Sequence, residues 1–180
     1  MVTMSGEVFS RMRTPLEPIL YRLAWEHISH IDEPQTDPLE HPIQAIILSV
    51  ACLETFINAI GMVTLGVGWD NYEAGHGPGQ DHRPRLADKW IEITKHQNDG
   101  KTFGRGDRLF QEFTGLIRLR NYILHYKSPF TSPVPTSKGN VTEARALIND
   151  DSARKAVVVM KEMLQEFHRL SGGQAPDWVV

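Results

Sequence analysis

Apolar residues recur at three- and four-residue steps through most of this chain, and that period predicts helices. The longest run is Ile43, Ile46, Ile47, Val50, Leu53, Phe56, Ile57 and Ile60, which predicts a helix from about Pro42 to about Leu65. Ahead of it, Pro15 and Pro18 suit a first helical turn, where a missing N–H is no loss, and Ile19, Leu20, Leu23, Ala24, His27 and Ile28 carry the period on. A third helix fits Leu86 to about His96, with Leu86, Trp90 and Ile93 on one face. A fourth runs from about Asp107, a natural N-cap, to Tyr126 through Leu109, Phe110, Phe113, Leu116, Ile117, Tyr122 and Leu124. A fifth fits Ser152 to Leu170 through Ala156, Val159, Met160, Met163, Leu164 and Phe167, and Gly172-Gly173 stop it.

The segments between these runs are rich in helix breakers. Asp32 to Pro42 holds three prolines and several acids and reads as a linker. Asn71 to Pro84, rich in Gly, Pro and His, reads as an exposed loop. Pro129, Pro133 and Pro135 close the fourth helix and open a long loop. No alternation of the strand type extends beyond a few residues, and no internal repeat is present. The expected fold is all-α: an up-and-down bundle of about four long helices plus an amino-terminal helix, in a single domain spanning residues 1–180.

Composition agrees with that picture. Apolar residues make up 41% and charged residues 23% of 180 residues, the balance of a globular chain. A domain of this size buries roughly 70% of its unfolded surface and needs no covalent staple. The lone cysteine, Cys52, lies in an apolar run and permits no intrachain disulfide, so a cytoplasmic location and an inert packing role are expected. Met1 to Met12 has no apolar core behind its charges, and no signal peptide is expected. Ile43 to Trp69 is long and apolar, but Gln44, Glu54 and Asn58 interrupt it. An unpaired carboxylate at a bilayer centre is costly, so a buried core helix is expected and no membrane span.

The net charge of −3 argues against a generic nucleic-acid coat. The charge is unevenly placed, however. From Asp81 to Lys127 ten Lys and Arg stand against six Asp and Glu, a surplus of four positive charges, while the remainder carries seven negative.

The basic segment ends in Leu119-Arg120-Asn121-Tyr122-Ile123-Leu124-His125-Tyr126-Lys127. Asn121 and His125 are four apart and share a helix face. Arg120 and His125 are five apart, about 140° around an ideal helix. This string resembles the signature of the HEPN superfamily: an Arg, often a following polar residue, and a His after four to six more, late in a helical bundle. Asn121 fills the polar slot. Ser49, Glu54 and Asn58 resemble the polar positions of the earlier helix that faces such a site, with Glu54 and Asn58 one turn apart. Leu86-Ala87-Asp88-Lys89-Trp90 is similar to the short helix before the signature helix in one branch of the family. The resemblance covers residues from Pro42 to Lys127 and implies a HEPN-like core over about 42–172, preceded by an amino-terminal helix and linker over 1–41.

The resemblance further implies a homodimer in which two Arg/His motifs meet in one cleft. Many family members are metal-independent endoribonucleases in defence or toxin–antitoxin biology. Others only bind RNA or nucleotide, or serve as partners of nucleotidyltransferases, and for this chain the resemblance admits an antitoxin or other protein partner. The residue types suit RNA cleavage without a metal or cofactor. His titrates near neutrality and can act as base or acid. Arg offers a planar, permanently charged fork for phosphate oxygens. On this reading His125 and Arg120 carry the chemistry, Asn121 orients His125 or the ribose, and Ser49, Glu54 and Asn58 support them. A plainer reading stands beside it: Arg120 and His125 place positive charge at a helix C-terminus. Glu54 is either a solvent-facing residue on an otherwise apolar helix or a buried acid paired with an Arg of the signature helix, and the resemblance implies the second; Asn58 serves either the site or as a cross-link between helices.

Other polar groups suggest less. His27 and His30 lie one turn apart beside Glu26, a spacing that metal sites use, but no second ligand pair stands in register and no metal site is expected. Gly75-His76-Gly77-Pro78-Gly79 lacks the ending of a phosphate loop, and His76, Asp81 and His82 read as solvated loop residues. Trp25, Trp69 and Trp90 fit core or interface positions. Trp178 packs either on its own domain or on a neighbouring subunit.

Overall fold

Helix α2, Glu40–Leu65, is the member on which the others pack: it contacts α1 (Glu17–Ser29), α3 (Trp69–Ala74), α4 (Leu86–Gln97), α5 (Arg108–Leu124) and α6 (Asp150–Leu170). The computed structural model describes residues 15–33, 37–77, 81–125, 134–136, 139–141 and 146–179. The all-α expectation holds for these. A small exception is the two-stranded antiparallel pair β1 (Val134–Thr136) and β2 (Gly139–Val141), three residues to a strand, with Val134 opposite Val141 and Thr136 opposite Gly139. It lies inside the segment expected to be plain loop.

The helix limits follow local chemistry. Pro18 sits in the first turn of α1, where no N–H is required. Helix α6 begins two residues before the expected Ser152. Asn149 accepts the Ser152 N–H at 3.0 Å, and Ser152 Oγ is 3.0 Å from the Asn149 N–H, a reciprocal capping box. Asp150 and Asp151 add negative charge at the positive end of the helix, and Gly172, at φ 70°, lets the chain turn away after Leu170. Asp107 does occupy the N-cap of α5, but its carboxylate accepts the Gly104 N–H at 2.8 Å instead of a helical one. Helix α5 ends at Leu124, with His125 as its C-cap; Tyr126, the expected end, lies outside the described residues.

One expectation needs correction. The segment from Asn71 is not all loop: Trp69–Ala74 forms the short helix α3, entered through a 3-10 turn at Gly66–Gly68 and ended by Gly75 at φ 79°. The glycines that advertise a loop are the joints at its two ends. What holds α3 is Trp69, buried against Gly61 of α2. A Cβ on Gly61 would stand 2.1 Å from Trp69 Cζ3 and 2.8 Å from Ile93 Cδ1, so only glycine lets the indole lie there.

The core is aromatic at its centre. Trp90 of α4 is fully buried and touches Phe56 of α2, Phe113 of α5, Phe167 of α6 and Phe103 of the α4–α5 turn, with ring centroids 5.6–6.0 Å apart. Aromatic pairs at these spacings add about 0.5–1.5 kcal/mol each beyond their area. The stretch Glu40–Ala74 is long and apolar enough to cross a membrane, and 44% of its most apolar window is buried within the fold. Cys52 is fully buried; burial, with the Glu17 charge adding, pushes its thiol up to about 12, which leaves no thiolate near neutral pH. Trp178 meets Tyr21 of α1 edge to face at 5.5 Å, so the carboxy-terminal tail packs on its own chain.

Two expectations for stability follow. Gly61→Ala should cost about 1–3 kcal/mol, because the indole and Ile93 must both move, read as a lower urea midpoint. The second concerns pH. The His27 ring lies below its ordinary value of 6.5, through burial first and then His41 and His30, with Glu26 and Glu40 opposing. Burial lowers His168 in the same direction. Both rings take up protons more readily when unfolded, so stability should be full above pH 6.5, fall below it, and level once the folded rings also protonate. Urea midpoints from pH 7.5 to 5 should trace that fall, and His27→Gln should flatten it.

Candidate functional site

The motif occupies the last turn of α5. Arg120 points back across the bundle, and its Nη2 lies 3.4 Å from Oε2 of Glu54 on α2. These residues are 66 apart in sequence, and the bundle brings them together. The Arg120 side chain is 22% exposed and that of Glu54 40%, so the pair sits at the boundary between core and solvent. An ion pair this exposed contributes about 0.2–1 kcal/mol. Its stronger effect is on geometry, since it fixes where the guanidinium points. Arg120 Nε is buried and has no hydrogen-bond partner among the described residues, so the fork has donor capacity left over.

Asn121 and His125 are exposed, and the backbone is their link: the His125 N–H donates to the Asn121 carbonyl at 3.0 Å. As C-cap, His125 sits where unpaired helix carbonyls favour positive charge. The arrangement therefore offers a tethered guanidinium, an exposed imidazole and an exposed amide within one and a half turns of helix.

The supporting residues divide. Glu54 joins Arg120, the pairing expected of it, although both are only partly buried. Ser49 does not join them. It is fully buried, and its hydroxyl donates to the Ala45 carbonyl one turn back in α2 at 2.7 Å. Asn58 faces α4, where its Oδ1 accepts from Lys89 Nζ at 3.0 Å. It is a cross-link between helices.

Lys89 is the polar residue that the sequence reading passed over. It is 6% exposed, ion-paired to Glu73 of α3, bonded to Asn58 of α2, and set with its Nζ 5.6 Å from the Trp69 ring centroid. The sign was present: Lys89 lies between Leu86 and Ile93 on the apolar stripe of α4, where a lysine needs a partner. His41 was also missed. It meets His27 with Nδ1 atoms 2.9 Å apart, across the junction of α1 and α2. Among the described residues no three His, Cys, Asp or Glu converge as a metal-binding group.

Two clefts lie among the described residues of α1 to α4, and neither has Arg120 or His125 in its described lining. The wider, about 1030 Å³, lies between α3 and α4 and is edged by Tyr72, His76, His82, Asp88, Glu92 and His96. Asp88 is paired there with Arg105 at 2.9 Å, and Asp81 with His82. His76 and His82 are exposed. Burial, helped by Glu92, Asp88 and Glu73, pushes the Tyr72 phenol above its ordinary value and keeps it a neutral donor. The narrower cleft, about 490 Å³, runs between the start of α1, α2 and α3.

Lys89→Ala should destabilise the fold by about 1–3 kcal/mol, since it strands Asn58 Oδ1 and leaves Glu73 without its counter-charge. Glu54→Gln should cost less than about 1 kcal/mol; chemical denaturation of both variants beside the parent measures the contrast. No family model matches this chain, and no curated protein and no solved structure matches it either.

Proposed function

We propose that this chain is a HEPN-like protein that works as a metal-independent endoribonuclease, with Arg120 and His125 of two copies lining one cleft. The observation that carries the reading is the Arg120–Glu54 pair. It anchors a partly buried guanidinium, 22% exposed, on the same last turn of α5 that carries the exposed Asn121 and His125, and these residue types suit a phosphate clamp and a proton carrier.

In the proposed reaction one His125 takes the proton of a ribose 2′-OH as that oxygen attacks the adjacent phosphorus. The bond from phosphorus to the 5′-oxygen breaks, and the second copy's histidine returns a proton to the leaving oxygen. The products are a 2′,3′-cyclic phosphate and a 5′-OH. Arg120 stabilises charge on the non-bridging oxygens as the phosphate becomes crowded. Asn121 orients His125 or the ribose. The surplus of positive charge between Asp81 and Lys127 favours approach of the RNA backbone.

A second reading draws on the same pair. Glu54 already neutralises part of the Arg120 charge, and an arginine so engaged suits a module that binds RNA, nucleotide or a protein partner without cleaving it.

Cleavage of end-labelled single-stranded RNA in excess EDTA separates the two. The parent protein should cleave and leave 2′,3′-cyclic phosphate ends, and His125→Ala should be slower by about 10²–10⁴. His125 is exposed, so the variant's stability should change by less than about 0.5 kcal/mol. Undiminished cleavage by His125→Ala removes the proposed chemistry. Absence of cleavage by both folded proteins transfers the case to the binding module.

A further inference from the structure

Glu17, at the first position of α1, is only 8% exposed. Its backbone carbonyl accepts from Cys52 Sγ at 3.4 Å, but its carboxylate has no hydrogen bond or ion pair among the described residues. The residue is buried as a whole, and its place in the first turn of α1, at the positive end of that helix, offsets part of the cost of burying its charge. The side chain lines the narrower cleft, about 490 Å³ in volume, a size ordinary for a small-molecule site.

The rest of the lining has a definite character. Leu16, Ala59 and Met62 supply apolar surface, and Trp69 supplies an aromatic wall. Glu73, the other carboxylate there, is already balanced by Lys89 behind it. That same ammonium stands 5.6 Å from the Trp69 ring centroid, so this indole already takes a cation on one side. Among the described lining residues the charge left without a counter-ion is therefore that of Glu17, set among apolar and aromatic surface together with the polar Thr55 and Asn58.

We propose that this cleft binds a small organic monocation, an alkylammonium or guanidinium with a short apolar stem. The charged head pairs with Glu17, and the stem lies along Met62, Ala59 and Trp69. The site is separate from the α5 motif and does not depend on any activity there.

Isothermal titration of the full chain with n-butylguanidinium and n-butylammonium, with n-butanol as the neutral control, tests it. Saturable binding of a cation and none of n-butanol is expected. Glu17→Gln, which keeps the shape and removes the charge, should weaken binding at least tenfold. Ala59→Leu keeps the charge and fills the cleft, and should do the same; it decides the matter alone if Glu17→Gln lowers the melting temperature too far for titration. Absence of saturable binding by the parent protein overturns the proposal, as does equal affinity in parent and variants, which reports diffuse electrostatics. Neither result touches the RNA-cleavage reading, whose assay contains no such cation.

Discussion

The burial of Trp90 is the constraint on which the remaining architecture depends. One indole on α4 meets aromatic rings from α2, α5, α6 and the α4–α5 turn, so four helices share a single point of closest packing. Phe110 extends the cluster along α5 through Phe113 and Phe103. Large flat side chains fit such a centre only when every backbone around it stands at its proper distance. The approach of α5 to α2, which brings Arg120 beside Glu54, is one product of that fit.

Around this centre the polar groups grade from dry to wet. Ser49 is buried and satisfied inside its own helix. Lys89 is buried and satisfied by two other helices. Arg120 and Glu54 meet at the edge, and Asn121 and His125 are in solvent. At the outer surface Arg108 bridges Glu112 and Glu162, and Lys155 reaches Glu112, joining α5 to α6 by exposed pairs of small individual weight. Chemistry on a charged substrate requires the wet end of this series, and its positioning requires the dry end. The α5 terminus spans both.

Much of this was readable before the fold was known, and what was not has physical reasons. The five long helices followed from the apolar period, because a helix that buries one face must write that face into its sequence. Helix α3 did not, since six residues between glycines carry too little period to distinguish a helical turn from a loop. The β1–β2 pair was invisible for the same reason, being three residues to a strand. The Arg120 to Glu54 contact has no local signature at all. It was anticipated through family resemblance, which also grouped Ser49 and Asn58 with it, and the geometry keeps only Glu54 there. The spacing of His27 and His30 carries no sign of His41, which meets the His27 ring from across a linker. Pairings across a turn of tertiary structure are set by packing, and spacing cannot report them.

Helix α2 carries Glu54, which tethers the α5 motif, and Asn58 one turn on, which lines the narrow cleft and holds Lys89. At a rise of about 1.5 Å per residue these two lie roughly 6 Å apart along a common axis. A hydrogen-bonded helix is stiff over that length, so it behaves as a graduated rod and not as two independent supports. A slide or roll of α2 that displaced one of these groups would displace the other by nearly the same amount. The α5 motif and the narrow cleft thus have a shared mechanical reference in one turn of α2.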